Sequence, residues 1–185
     1  RAAILKPLDA GADGIVVPGI GSLDQAKQTI AYGKYPPLGD RGVSLTRAAA
    51  YGYDPEIDRL PKLFELKNRQ AKLILQCEKV GCLEEIEQIA ALDGVDGILI
   101  GPYDLSTDMG LAGEFGHKQV RAAFQRIKDA CRAVGKPVMI FSKTVRDAKA
   151  RLEEGYDAVA VATVSAVLVD GCRRLLNEAN GLAIP

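Results

Sequence analysis

The sequence carries no net charge, no paired-cysteine motif, no nucleotide-binding glycine signature and no long apolar run. Lys+Arg and Asp+Glu are both 24. A chain without a positive field is a poor general binder of nucleic acid. No uninterrupted apolar stretch approaches the roughly 20 residues that span a bilayer, so no membrane partner is predicted. The four cysteines, Cys77, Cys82, Cys131 and Cys172, form neither a CxxC pair nor a zinc-ribbon spacing. They read as reduced, mostly buried thiols of a cytoplasmic protein. No GxGxxG or GxxxxGK[ST] occurs, which disfavours the nucleotide-binding open sheets. A small molecule or another protein chain remains as partner.

What is present is ordinary for a globular fold. Apolar residues make up 48% and charged residues 26% of 185 residues. That is enough for one domain with a real core, here taken as residues 1–185, and too little for two. The chain starts at Arg1 without a signal-peptide pattern, part-way along a helical segment from Ala2 to Lys6. An N-terminally incomplete chain is therefore expected.

A weak repeat organises the sequence. Asp9-Ala10-Gly11-Ala12-Asp13-Gly14-Ile15-Val16-Val17-Pro18 resembles Leu92-Asp93-Gly94-Val95-Asp96-Gly97-Ile98-Leu99-Ile100-Gly101. Both resemble Glu154-Gly155-Tyr156-Asp157-Ala158-Val159-Ala160-Val161. Each reads as a helix end, a Gly that closes the helix in the left-handed region, an Asp, and an apolar run. Runs apolar at successive positions suit parallel strands buried on both faces. Leu73 to Cys77 and Val138 to Phe141 complete a set of five.

Helical segments alternate with these runs. Ser22 and Thr144 open two of them as caps. Val120, Ala123, Phe124, Ile127, Cys131 and Val134 fall on one helical face. Leu83 to Leu92 and Ala166 to Leu176 supply two more. The pattern predicts an α/β fold with a parallel sheet. A complete TIM (β/α)₈ barrel needs about 250 residues, so this chain supplies about the last five βα units and lacks the N-terminal ones.

In a barrel the chemistry lies just past the C-terminal strand ends. Those ends are Pro18-Gly19, Gln76-Cys77-Glu78, Gly101-Pro102-Tyr103-Asp104, Phe141-Ser142-Lys143 and Ala162-Thr163. Glu78 and Asp104 are the only carboxylates directly there, on consecutive strands. Neighbouring strands lie about 4.8 Å apart, so the pair can share one ion. Oxygen donors suit Mg²⁺ or Mn²⁺, with water and substrate completing the shell. The competing reading is two solvent-facing acids or helix caps. Gly101 permits close approach to the backbone, and the N–H groups after it can hold a carboxylate.

His117, the only histidine, reads as a surface or helix-start residue rather than a general acid–base. Arg41 fits an anion contact or a loop clamp equally. Tyr51 and Tyr53 flank Gly52 and read as ordinary loop packing rather than a lid.

Together, Asp9 to Pro18, Tyr35-Pro36-Pro37-Leu38-Gly39-Asp40-Arg41-Gly42, Gln76-Cys77-Glu78 and Ile100-Gly101-Pro102-Tyr103-Asp104-Leu105-Ser106 resemble the HpcH/HpaI aldolase family. The resemblance runs along essentially the whole chain. It implies a metal-dependent pyruvate aldolase, cleaving a 4-hydroxy-2-oxo acid to pyruvate and an aldehyde. It implies Glu78 and Asp104 as ligands of Mg²⁺, Mn²⁺ or Co²⁺. Gln76 would contact pyruvate, and the backbone at Gly101 and Tyr103 would hold its carboxylate.

The family often has Ala where Tyr103 stands and Ile where Cys77 stands. Near the last strand it often has Asp where this chain has Val164, and no role is carried there. The family's proton-transfer His and enolate-stabilising Arg lie in the early barrel units, and neither His117 nor Arg41 matches them. The chain alone would then lack a complete active site. Family members are usually homo-oligomers, often hexamers through swapped C-terminal helices, here Ala166 to Leu176. A Schiff-base mechanism would have only Lys143 as its lysine. The runner-up enzyme is a CoA-thioester lyase of the citrate lyase β-subunit or malyl-CoA kind. A third reading is a non-catalytic fragment whose two open sheet edges make it associate.

Overall fold

The computed structural model describes residues 1–54 and 59–181. Five strands form one sheet: β1 (Gly14–Ile20), β2 (Lys72–Cys77), β3 (Gly97–Ile100), β4 (Val138–Ser142) and β5 (Ala158–Val161). They lie side by side in chain order, and every neighbouring pair is parallel. The α-helices among the described residues are α1 (Ala2–Asp9), α2 (Leu23–Gly33), α3 (Leu60–Gln70), α4 (Val80–Glu84), α5 (Ile86–Ala91), α6 (Pro102–Asp108), α7 (Lys118–Ala133), α8 (Val145–Glu153) and α9 (Val164–Ala179), with a 3-10 helix at Arg47–Gly52. None is long and apolar enough to cross a membrane.

Chain-order strands without a reversal are the signature of a singly wound sheet, whereas a doubly wound sheet switches direction. The helix packing agrees: α2 touches α5, and α5 touches α7. Leu73, Leu75 and Cys77 of β2, with Val138 and Ile140 of β4, are buried in one core with Ile30, Ile86, Ile89, Val120 and Ile127. The sheet is an arc of a (β/α) barrel.

Burial on both faces holds for β3 alone. In β2 and β4 the alternate residues Ile74, Gln76, Met139 and Phe141 are only half-buried, and β1 and β5 are largely exposed. The reason is geometric. The inner face of a barrel is covered by strands from across the barrel, and no such strand occurs among the described residues.

The repeated Gly-x-Asp segments have a concrete job. Gly11, Gly94 and Gly155 all take positive φ, at 95°, 92° and 86°. The Asp that follows reaches back to the preceding strand. Asp96 Oδ2 accepts the Leu73 N–H of β2 at 2.8 Å, and Asp157 Oδ2 accepts the Val138 N–H of β4 at 2.8 Å. For Asp13 it is the main-chain oxygen that acts, accepting the Lys72 N–H at 2.8 Å.

Both expected caps form. Ser22 Oγ accepts the Gln25 N–H at 3.3 Å, and Thr144 Oγ1 accepts the Asp147 N–H at 3.1 Å. Other segments differ from expectation. The stretch from Leu83 to Leu92 breaks into α4 and α5 at Glu85, whose backbone is not helical and whose Oε2 takes the Leu23 N–H at 2.6 Å. Helices α3 and α6 were not anticipated. Val134 falls just past the end of α7 and is exposed. Helix α9 exceeds its expected span at both ends and buries none of its residues.

Candidate functional site

The site is built where β2 and β3 end. Cys77 pairs with Ile100, and the Gly101 N–H donates to the Cys77 carbonyl at 3.1 Å. This sets Glu78 level with Gly101. Glu78 is only 8% exposed although it follows the last strand residue. Its Oε1 accepts the Gly19 N–H at 2.7 Å, and its Oε2 accepts from Gln76 Nε2. Each carboxylate oxygen still has a free lone pair.

The Gly19 contact depends on an irregularity in β1. The register slips between Val17 and Ile20, and Gly19 takes φ 74°. A bulge of this kind re-aims backbone groups at a strand end. Gly19 was not among the anticipated site residues. Its signal was the Pro18-Gly19 pair, because Pro breaks a ladder and Gly accepts a positive φ.

Gly101 is required by space. A β-carbon placed on it would lie 2.8 Å from Gln76 Nε2, 2.9 Å from Glu78 Cβ and 3.0 Å from Glu78 Oε2. Its lack of a side chain keeps the approach to Gln76 and Glu78 clear. Helix α6 starts immediately after it, with Pro102 at its first position. The N–H groups of Tyr103 and Asp104, in that first turn, have no intrahelical acceptor. The Asp104 carboxylate is exposed, with neither a hydrogen bond nor an ion pair among the described residues.

The rest of the motif is structural. Leu105 and Ser106 are buried. Ser106 Oγ donates to the Tyr103 carbonyl at 3.0 Å and accepts the Gly113 N–H at 3.1 Å. Asp108 accepts the Val80 N–H at 2.7 Å, tying α6 to the loop after Glu78. The Tyr103 ring meets Phe115 edge-on at 4.9 Å and Phe141 at 6.4 Å, and Lys143 Nζ stands 4.2 Å from its centroid. From sequence, the Tyr103 backbone was given a contact and its phenol an influence on pocket size and aldehyde preference; the ring assembly around it was not foreseen.

Cys77 is buried in the hydrophobic core and not on the face that carries Gln76. Its hydrogen bond with Cys82 and its burial hold the thiol well above the usual 9.0. Among the described residues, no group of three or more His, Cys, Asp or Glu gathers to hold an ion. Among the described residues, the carboxylates just past the strand ends are Glu78 and Asp104. A hard divalent cation that keeps water and substrate oxygens fits such a pair; a closed structural site does not.

The remaining candidates lie elsewhere. His117 is exposed and caps α7, its Nδ1 accepting the Gln119 N–H at 3.3 Å. Arg41 is 4% exposed, pairs with Asp9 at 2.7 Å and lies 4.7 Å from the Tyr35 ring centroid; it clamps the loop. Tyr51 and Tyr53 are exposed, so neither loop packing nor a closed lid describes them. Of the cysteines, Cys172 is exposed and the other three are buried. A cavity of about 790 Å³ opens between α7 and α8, lined by Arg121, Lys128 and Arg151 among others, not by the strand-end carboxylates.

Comparison with known proteins places this arrangement. Residues 2–170 match the family model described as HpcH/HpaI aldolase/citrate lyase. The 5-keto-4-deoxy-D-glucarate aldolase of Enterobacter sp. (strain 638) is 34% identical over 95% of this chain and 66% of its own length. The 4-hydroxy-2-oxo-heptane-1,7-dioate aldolase of Salmonella typhimurium is 35% identical over 93% of this chain and 64% of its own. The chain thus spans just under two-thirds of the length of these relatives. The crystal structure of an HpcH/HpaI aldolase from Desulfitobacterium hafniense DCB-2 superposes with a TM-score of 0.82, at 27% identity, over 98% of this chain and 69% of that one. With its motifs in order along a singly wound parallel sheet, the chain belongs to the HpcH/HpaI aldolase/citrate lyase family.

Proposed function

We propose that the protein is a divalent-metal-dependent aldolase that reversibly cleaves a 4-hydroxy-2-oxo acid into pyruvate and an aldehyde. The observation that carries this reading is the close approach of Gly101 to Glu78 at paired strand ends, with Asp104 in the turn that follows. Glu78 is buried and oriented, Gly101 leaves the space beside it open, and Asp104 presents a carboxylate that is unpaired among the described residues.

Glu78 and Asp104 would hold a divalent ion such as Mg²⁺ or Mn²⁺. When bound, such an ion supplies Lewis-acid stabilisation of negative charge developing on the substrate. Gln76 fixes one oxygen of Glu78 and stands on the half-open face, where it can contact the 2-oxo acid. Of the expected Gly101 and Tyr103 backbone, the Gly101 N–H is taken by the Cys77 carbonyl, so the N–H groups of Tyr103 and Asp104 are the ones free to receive the acid's carboxylate. Neither His117 nor Arg41 is placed as the base that takes the C4 hydroxyl proton, because one caps α7 and the other is paired with Asp9. The Salmonella relative is named for a heptane-1,7-dioate, with an acid at each end; a substrate of that class is proposed here. The 185 residues are read as one domain, a barrel arc that the full-length protein closes.

The test is pyruvate release from a 4-hydroxy-2-oxo diacid by the full-length protein, with Mn²⁺ or with EDTA. Release that EDTA abolishes and Mn²⁺ restores supports the reading. Turnover of malyl-CoA with none of the hydroxy-oxo acids overturns it.

A further inference from the structure

Lys143 directly follows β4, and Tyr103 lies in the first turn after β3, the strand paired with β4 through Ile100 and Ile140. The Lys143 ammonium stands 4.2 Å from the centroid of the Tyr103 ring. That ring is held by Phe115, edge-on at 4.9 Å and 88°, and by Phe141 at 6.4 Å. No carboxylate pairs with Lys143 among the described residues; its ammonium rests on the ring. A lysine otherwise loses much side-chain freedom when fixed. Here the aromatic face offsets part of that loss in advance, as cation–π contacts do. The result is an unpaired cation at the mouth of the site, one strand beyond Gly101, with an apolar floor beneath it.

We propose that Lys143, positioned on Tyr103, is the subsite for an acid group at the far end of the aldehyde half of the substrate. The inference rests on the aldolase reading and adds a specificity residue to it. A carboxylate or a sulfonate meets the same ammonium, and the aromatic walls accept the short methylene chain between the acid and the aldehyde carbon. A neutral aldehyde of equal length gains nothing from the cation. The ring and the lysine belong together. Alanine at position 103 would leave Lys143 without its platform.

The experiment uses the full-length protein in the direction of carbon–carbon bond formation, with pyruvate, Mn²⁺ and either succinic semialdehyde or butanal. Lys143→Met is expected to lower kcat/KM for succinic semialdehyde by about 10- to 100-fold, the worth of one charge-assisted hydrogen bond. The loss falls mainly in KM. Butanal turnover stays within about twofold, and Lys143→Arg recovers most of the acid preference. An equal loss on both aldehydes, or no loss on the acidic one, overturns the inference and leaves the aldolase standing. Borohydride trapping of a pyruvate adduct on Lys143 also overturns it, because the residue would then be a Schiff-base lysine. No bond formation with either aldehyde by the unaltered protein overturns the aldolase reading and the subsite together.

Discussion

Gly101 stands level with Glu78 so closely that a β-carbon on the glycine would lie 3.0 Å from the carboxylate Oε2. The φ of Gly101 is −91°, which any residue adopts. The position is reserved by space and not by backbone conformation. Gly101→Ala should therefore fold, with a loss of about 1–3 kcal/mol. The nearest atom, Gln76 Nε2, would move first and release Glu78. Pyruvate release by the full-length protein should fall roughly 100-fold, the effect of displacing a site group by about 1 Å. Unchanged turnover with unchanged stability would show that the space beside Glu78 is not used.

Glu78→Gln keeps the shape of the side chain and an oxygen for the Gly19 N–H. Asp104→Asn alters a side chain with no partner among the described residues. Neither should shift the melting temperature by more than a few degrees. Each should reduce metal-dependent pyruvate release by about 100-fold or more, because even second-layer partners of a metal cost about 10- to 100-fold. Mn²⁺ affinity, read directly by titration, should weaken in parallel. Intact Mn²⁺ binding in both variants would remove the pair as ligands.

Lys34 tests the scaffold. It is 2% exposed, and its Nζ donates to the Asn68 carbonyl at 2.9 Å, the Ala71 carbonyl at 2.7 Å and Asp96 Oδ2 at 2.7 Å. Lys34→Met removes the cation and leaves those acceptors behind. Asp96 keeps Lys72 at 3.6 Å and the Leu73 N–H, so the loss should sit near roughly 3 kcal/mol, the low end for a broken buried pair. Urea denaturation measures it; a midpoint equal to wild type would contradict the contact.

Alkaline stability follows from a buried thiol. Burial, reinforced by Asp157, pushes Cys131 up from 9.0 to about 12. The folded state therefore favours the protonated thiol, and the unfolded chain loses the proton first. The contribution is complete below pH 9.0 and disappears as pH rises toward about 12. The urea midpoint should fall across that window, and less steeply in Cys131→Ala. Parallel slopes would exclude Cys131 as the source.

Much of this was legible because the signals were local. The Gly-x-Asp repeats, the Ser22 and Thr144 caps and the apolar runs depend on neighbours in sequence, and they hold. Glu78 and Asp104 were singled out by looking where a barrel keeps its chemistry, and the fold sets each just past its strand. The failures were non-local. The role of Gly19 depends on a register slip, and the ring of Tyr103 matters through Phe115, Phe141 and Lys143, which come from two other segments. Arg41 had two readings until the fold set Asp9 beside it at 2.7 Å. The half-open face of β2 and β4 could not be seen from strand composition, because it depends on what lies across the sheet.

The aspartate clasps point backward along the chain. The start of β2 is held by Asp96, from the segment that leads into β3, and the start of β4 by Asp157, from the segment that leads into β5. Each of these strands is pinned by residues made after it. During synthesis a strand leaves the ribosome before its own clasp exists, and its register stays adjustable until the next unit has been translated. Duplicating, deleting or transplanting a unit between barrels therefore succeeds at boundaries that keep a strand together with the aspartate of its successor. A cut at the obvious place, just before a strand's own Gly-x-Asp, separates the preceding strand from the group that locks it.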